Sequence, residues 1–401
     1  MTEPQKGTSP SEARKESGSS TWILLVAIVV SGITTFMFYP LITLELLDRG
    51  IGAGPTGLIL GLLSGTGQIL SGLIGRVNAR LGSRSLAIGG LALRSVGLLV
   101  FAFDTHPLLY AAAAVVASLG SSSTALALKT ELMRVSADRG TITMRSIAVN
   151  IGALVGPSIG GLVYVAASFS VIVFAAVLSY VLLGVGLLFI TFKPPEENTR
   201  ATGSAGNPAR PVRRLDKPFI VLLVCTLAYW GIYSQWPLVV PLYAEEGFGT
   251  PLGSAWVYTG NAILILALQY PLLVVLLKGV RSPYVLASGF LLFVGSFIVT
   301  PLPAGPATVI VFATLFSLAE LLVSPTLDEV TAQLRSEGTG LTRAFGATAT
   351  VGGASSLAGA SVGGVLIERL GAPGSVIWLV LPLTVLGIAG SIILSRRKVN
   401  T

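Results

Sequence analysis

Twelve apolar runs, each near the ~20 residues needed to cross a hydrocarbon core, cover most of this 401-residue chain. They fall at approximately 22–45, 55–75, 85–103, 107–128, 145–166, 170–192, 219–242, 254–277, 284–303, 307–331, 343–367 and 374–394. Lipid offers backbone N–H and C=O groups no partners, so each run must satisfy them internally as a helix. Composition agrees: 11 % of residues are charged, against roughly 25 % in an ordinary soluble domain. The expected fold class is an all-α membrane protein of twelve transmembrane helices, multi-pass in the cell membrane.

Basic residues orient the chain. All but three of the 26 Lys and Arg lie on segments facing one side. Arg49 and Arg369 fall on the other side, and Arg94 lies inside a span. Such a bias places both termini in the cytoplasm. The net charge of +8 then faces anionic lipid and requires no nucleic-acid partner.

Residues 1–21, rich in Ser, Glu and Lys, are expected to form a disordered cytoplasmic tail and not a signal peptide. Residues 396–401 form a second short tail. The Pro-, Gly- and charge-rich stretch 193–217 is expected to be a flexible cytoplasmic linker between six-helix halves at 22–192 and 218–395. "GALVGPSIGGLVY" at 152 has a counterpart in "SSLAGASVGGVLI" at 355. Gly156, Gly160 and Gly161 align with Gly359, Gly363 and Gly364. Two six-helix pseudo-repeats follow, a plan common among secondary transporters.

On span five Gly152, Gly156 and Gly160 recur every fourth residue, a smooth face that lets a neighbouring helix approach closely. Pro157 removes one helical hydrogen bond and can bend the helix. This segment resembles the fifth-helix motif of drug:proton antiporters in the major facilitator superfamily, and "GRVNARLGSR" (75–84) resembles the loop 2–3 motif of the whole superfamily. "LALRSVG" and "AELLVSP" are similar to segments of the branch typified by single-component bacterial multidrug exporters. The resemblance spans residues 22 to 395 or so and implies the twelve-helix fold and export by proton antiport. It also implies that Gly152, Gly156, Pro157, Gly160 and Gly161 sit where the halves meet and act as they rock. Gly75, Arg80, Gly82 and Arg84 match the loop 2–3 latch. That latch is incomplete here, because Ala79 occupies its acidic position and Ser83 a basic one. Val116 stands where span four of the family carries an arginine. Asp328 and Glu329 approach the cytoplasmic end of span ten, and Lys129, Glu131 and Arg134 do the same after span four. They read first as hydrated interface pairs; in the functional reading these acids, Asp328 foremost, replace the charge missing at Ala79 in an inner gate.

A charge at a helix centre costs roughly 2.5–3.5 kcal/mol on insertion scales, so it marks a cavity or a partner. Glu320, mid-span ten, is the expected proton-coupling residue. Arg94, mid-span three, is expected to bond the hydroxyls of "GSSST" in span four. Span seven, "AYWGIYSQWPLVVPLY", concentrates Tyr229, Tyr233, Gln235 and Trp236, with Tyr39 and Asn261 at similar depth. With Arg94, these are the candidate cavity residues. Apolar faces with a few polar tips suit an amphiphilic organic molecule. Trp236 and Trp256 read equally well as interfacial anchors.

Other chemistries lack their residues. Cys225 is the single cysteine and His106 the single histidine, so no disulfide framework or metal spacing exists. "GAGPTG" (52–57) meets a glycine pattern of dinucleotide sites, but no strand precedes it. No Walker lysine motif or catalytic triad occurs. The chain is expected to be no enzyme and to need no cofactor: a proton gradient is its expected energy source, and a monomer in the bilayer is expected to handle a small-molecule substrate. Export of an amphiphile by proton antiport is the main reading. Proton-coupled uptake of a nutrient is the alternative, and a non-transporting sensor on a carrier fold a further one.

Overall fold

The computed structural model describes residues 10–135, 139–189, 216–334 and 339–396. Most of the expected linker and the last residues of the C-terminal tail lie outside them. The described residues form helices and no strand. Helix α1 is Pro10–Phe38, α2 Ile42–Asp48, α3 Ala53–Ile69, α4 Ser71–Leu99, α5 Pro107–Val135, α6 Arg139–Ala166 and α7 Phe169–Leu188. Beyond the linker, α8 is Lys217–Tyr233, α9 Trp236–Phe248, α10 Leu252–Tyr270, α11 Ser282–Val299, α12 Pro306–Leu334, α13 Thr339–Leu370 and α14 Ile377–Ser395.

Among the described residues, eleven runs are long and apolar enough to cross a membrane. Helix α3, with 17 residues, is shorter, but after a kink at Leu70 the chain continues directly into α4. The polar stretch expected to be a tail is helical from Pro10 onward, since Ala, Arg, Lys and Glu are good helix formers.

Two of the expected spans are each broken before their C-terminal third ends. Span one divides at Tyr39–Leu41 and span seven at Ser234–Gln235. Pro40 and Pro237 stand beside these breaks, where a missing N–H and the restriction on the preceding residue disfavour a continuous helix. The loop 2–3 motif is mostly helical within α4 and turns at Gly82, whose φ of 79° is a left-handed conformation natural to glycine.

The surface is apolar. Leu108, Leu162, Leu182 and Phe189 are each more than half exposed, as expected of a wall facing lipid and not water. Inside, Phe290, Phe293, Phe297, Phe312 and Phe316 form a buried aromatic core between α11 and α12.

The helices before and after the linker meet along two seams, α3 on α13 and α6 on α10. The glycine stripe of α6 lies on neither. A Cβ on Gly152, Gly156 or Gly160 would collide with the α1 backbone at Gly32, Ile33 and Met37 respectively, so the stripe packs within its own half. This corrects the placement of all three between the halves. Gly161 does face α10, where a Cβ would come 2.7 Å from the Ala255 Cβ. Next to it, Ser158 and Thr259 share a hydrogen bond of 3.0 Å.

Candidate functional site

Both helix breaks are held by hydrogen bonds from across the molecule. The Thr43 hydroxyl of α2 donates to the Pro237 carbonyl at 2.6 Å, and the Ser254 hydroxyl of α10 donates to the Pro40 carbonyl at 2.8 Å. Each bond satisfies a carbonyl at a helix break that water cannot reach. Between the breaks lies a cavity of about 310 Å³.

Its walls differ in chemistry. Helices α1, α3 and α5 contribute Thr35, Ser64, Gln68, Ser118, Ser121 and Ser122, and the break after α1 adds Tyr39, a hydroxyl-rich face. The opposite face carries Trp230, Tyr233, Trp236 and Tyr258. Among the described residues no ionisable carboxylate, lysine or arginine lines it. Trp236 is 3 % exposed and lies 4.4 Å, centroid to centroid, from Phe316. It is therefore a wall residue and not an interfacial anchor. Trp256 is 51 % exposed and keeps the anchor position.

The remaining expected cavity residues stand behind or beside this wall. Gln235 is fully buried and donates to the Gly231 carbonyl, the Ser234 hydroxyl and the Gly359 carbonyl at 2.9–3.0 Å, so it ties the break in span seven to α13. Tyr229 lines an adjoining cavity of about 200 Å³ with Gln68, Trp230 and Asp328. Asn261 borders a third, of about 330 Å³, between α10 and α12 beside the exposed Trp256.

Glu320 occupies the midpoint of α12. The Asn261 amide donates to its Oε2 at 3.1 Å and to the Ser317 hydroxyl at 2.9 Å, and the Tyr233 hydroxyl faces the same carboxyl. All these partners are neutral. The carboxyl thus stands one side chain behind the aromatic wall.

Arg94 mirrors it behind the hydroxyl wall. Its guanidinium donates to the Thr35 hydroxyl at 2.7 Å and the Ser31 hydroxyl at 3.3 Å and sits 4.5 Å from the centroid of the Tyr180 ring. The expected bonds to the serines of span four do not form. Gly90 and Gly97 bring α4 so close to α5 that Gly120 touches the Arg94 backbone, and the side chain leaves in the direction of α1 and α7.

Asp328 makes no ion pair among the described residues, and Lys129 of α5 is the charge that acts on it. In the loop 2–3 motif Arg84 donates to the Leu188 carbonyl, Arg80 is exposed, and Gly75 has open space where a Cβ would point. His106 caps its own loop, its Nδ1 accepting from the Leu108 amide at 3.3 Å.

One contact has no counterpart in the sequence reading. The Glu368 carboxylate at the end of α13 accepts a 2.6 Å hydrogen bond from the Gly54 amide in the first turn of α3. Below it Gly57, Gly61 and Gly65 lie against Ala360, Leu357 and Gly353 with no room for a Cβ. The signal was present as a four-residue glycine spacing in "GPTGLILGLLSGTG".

An all-helical chain with an apolar, lipid-facing surface and a polar and aromatic cavity between two helix breaks is a multi-pass membrane protein. The particular family is shown by sequence: the chain belongs to the Major Facilitator Superfamily, whose profile matches residues 24–337. It is 27 % identical over 259 residues to the multidrug resistance protein MdtH of Aeromonas hydrophila, a match spanning 63 % of each protein and hence less than two thirds of that relative. It is 26 % identical to the protein of that name from Edwardsiella ictaluri, over 79 % of each. Among solved structures, a peptide transporter POT in complex with sulfate superposes with a TM-score of 0.76 at 14 % identity, covering 96 % of this chain and 97 % of that one. The nucleoside transporter NupG gives 0.74 at 12 % identity, covering 93 % and 99 %. At such identities these structures speak for the fold alone.

Proposed function

We propose that the protein is a secondary active transporter that exports a small amphiphilic organic compound by proton antiport through alternating access. In this reading the halves 22–192 and 218–395 are pseudo-repeats joined by a cytoplasmic linker at 193–217. Both termini are cytoplasmic, and the monomer is the working unit. Paired features support the repeat: breaks at Pro40 and Pro237, seams of α3 on α13 and α10 on α6, and seam glycines at Gly161 and Gly364. The seam contacts run from the end bearing α2 and α9 toward mid-membrane, which is the non-cytoplasmic end under the positive-inside orientation. The described state is then closed outward, with Asp328 and Lys129 as separated halves of an inner gate.

The observation that carries the reading is Glu320, a carboxyl at the midpoint of a membrane helix whose side-chain partners are neutral. A carboxyl so placed alternates between a protonated form in the closed bundle and an ionised form when water enters. The similarity to multidrug resistance proteins supports export. In everted vesicles holding a ΔpH, addition of a transported compound is expected to dissipate the gradient with wild type and not with Glu320→Gln. Accumulation driven in the opposite direction would replace export by proton-coupled uptake. Compound movement without any proton flux would remove Glu320 from the mechanism.

A further inference from the structure

Arg94 is unexplained by proton coupling. It is 5 % exposed, it lies at mid-membrane, and its partners are two hydroxyls and an aromatic face. The ion pairs among the described residues, Arg49–Glu45 and Arg134–Glu131, are elsewhere. A guanidinium stays charged at every physiological pH, and a buried charge is ordinarily paired. Thr35, which bonds it at 2.7 Å, lines the central cavity. The positive charge is therefore one side chain from the cargo, in a region where little screening occurs.

We infer that Arg94 sets the charge selectivity of the central cavity, whose cargo is a neutral planar compound with hydrogen-bond acceptors, and that permanent organic cations are excluded. The inference rests on Glu320 being the proton-carrying group. When Glu320 holds a proton, the cavity sees Arg94 alone and is net positive; when Glu320 is ionised, the two balance. In neither state is it net negative. A permanent cation thus finds repulsion or no net attraction, while a neutral molecule is tolerated in both. The aromatic wall offers Trp230, Trp236 and Tyr233 for stacking. Tyr258, 6 % exposed, lines the same cavity with a hydroxyl that has no hydrogen-bond partner among the described residues. A buried hydroxyl left unpaired is costly, so a cargo carbonyl facing Tyr258 gains from it.

The test uses a matched pair of probes, N-methylacridone, neutral with one carbonyl, and N-methylacridinium, a permanent cation of the same ring system. Binding to the full-length protein in lipid nanodiscs is read by equilibrium dialysis. Wild type is expected to bind the acridone roughly tenfold or more tightly than the acridinium. Arg94→Gln should bring the two within about threefold by admitting the cation, and Arg94→Lys should retain the discrimination. Thr35→Asp, which places a carboxylate beside an intact Arg94, should admit the cation as well, and it keeps the test decisive if Arg94→Gln does not fold. Equal binding of both probes by wild type, binding of neither, or discrimination that survives both neutralising variants overturns the inference. If the acridone binds selectively yet drives no proton flux in vesicles, the export reading fails while the selectivity stands.

Discussion

Glu368 caps a helix that is not its own: its carboxylate accepts the amide of Gly54, in the first turn of α3, at 2.6 Å. The N-cap of α3 is Gly52, which supplies no side-chain cap, so an orphan amide and the positive dipole end are met from α13. The backbone approach continues from this bond down to Gly353 beside Ile69, about 22 Å at 1.5 Å per residue.

Removing that cap should loosen the outer end of the seam. Glu368 is exposed, so the bond contributes about 1 kcal/mol, a roughly fivefold change in the ratio of closed to open forms. Glu368→Ala in a Ser64→Cys, Cys225→Ala background is expected to raise labelling of the cavity cysteine by an impermeant thiol reagent added outside. Gly54→Ala should act similarly, because its methyl meets the same carboxylate, and the two effects should not add.

The glycines should separate by what surrounds them. Gly160→Ala pushes a methyl into the Met37 carbonyl and should lower stability by about 1–3 kcal/mol, as overpacking does. Gly75→Ala meets nothing within 4 Å and should leave the melting temperature in detergent unchanged. Gly82→Ala, forced into φ 79° and ψ 158°, a region open essentially to glycine alone, should cost about 1–3 kcal/mol. Thermal unfolding of the three variants side by side checks the order.

Gln235 should prove structural. Gln235→Ala strips hydrogen bonds from the Gly231 and Gly359 carbonyls and is expected to cost roughly 1–3 kcal/mol. Its probe-binding preferences should match wild type. A changed preference at unchanged stability would return Gln235 to the cavity wall.

Glu320→Gln should uncouple without emptying the cavity. The amide keeps the volume and can still accept from Asn261, whose bond to the carboxyl is 3.1 Å, but it carries no transferable proton. Exchange of labelled for unlabelled compound across vesicles should therefore persist within a few-fold. Gradient-driven accumulation should vanish, and loss of both together would mark Glu320 as a binding residue instead.

The sequence by itself determined the class of architecture, because period and length of apolar runs are local properties and lipid admits only one backbone solution to them. It also singled out Arg94 and Glu320, since a charged residue near a helix centre calls for a partner or a cavity whatever helix supplies it. Tertiary structure alone decided what each one meets. A helix wheel groups Gly152, Gly156 and Gly160 on one face, but only packing puts that face on α1 and leaves Gly161 for the seam. The same holds for Arg94, turned from α5 by a glycine-tight contact, and for Glu368, whose partner lies 314 residues away. Contacts of that kind depend on helix rotation and on which helices become neighbours, and neither is encoded in the spacing of residues along a single span.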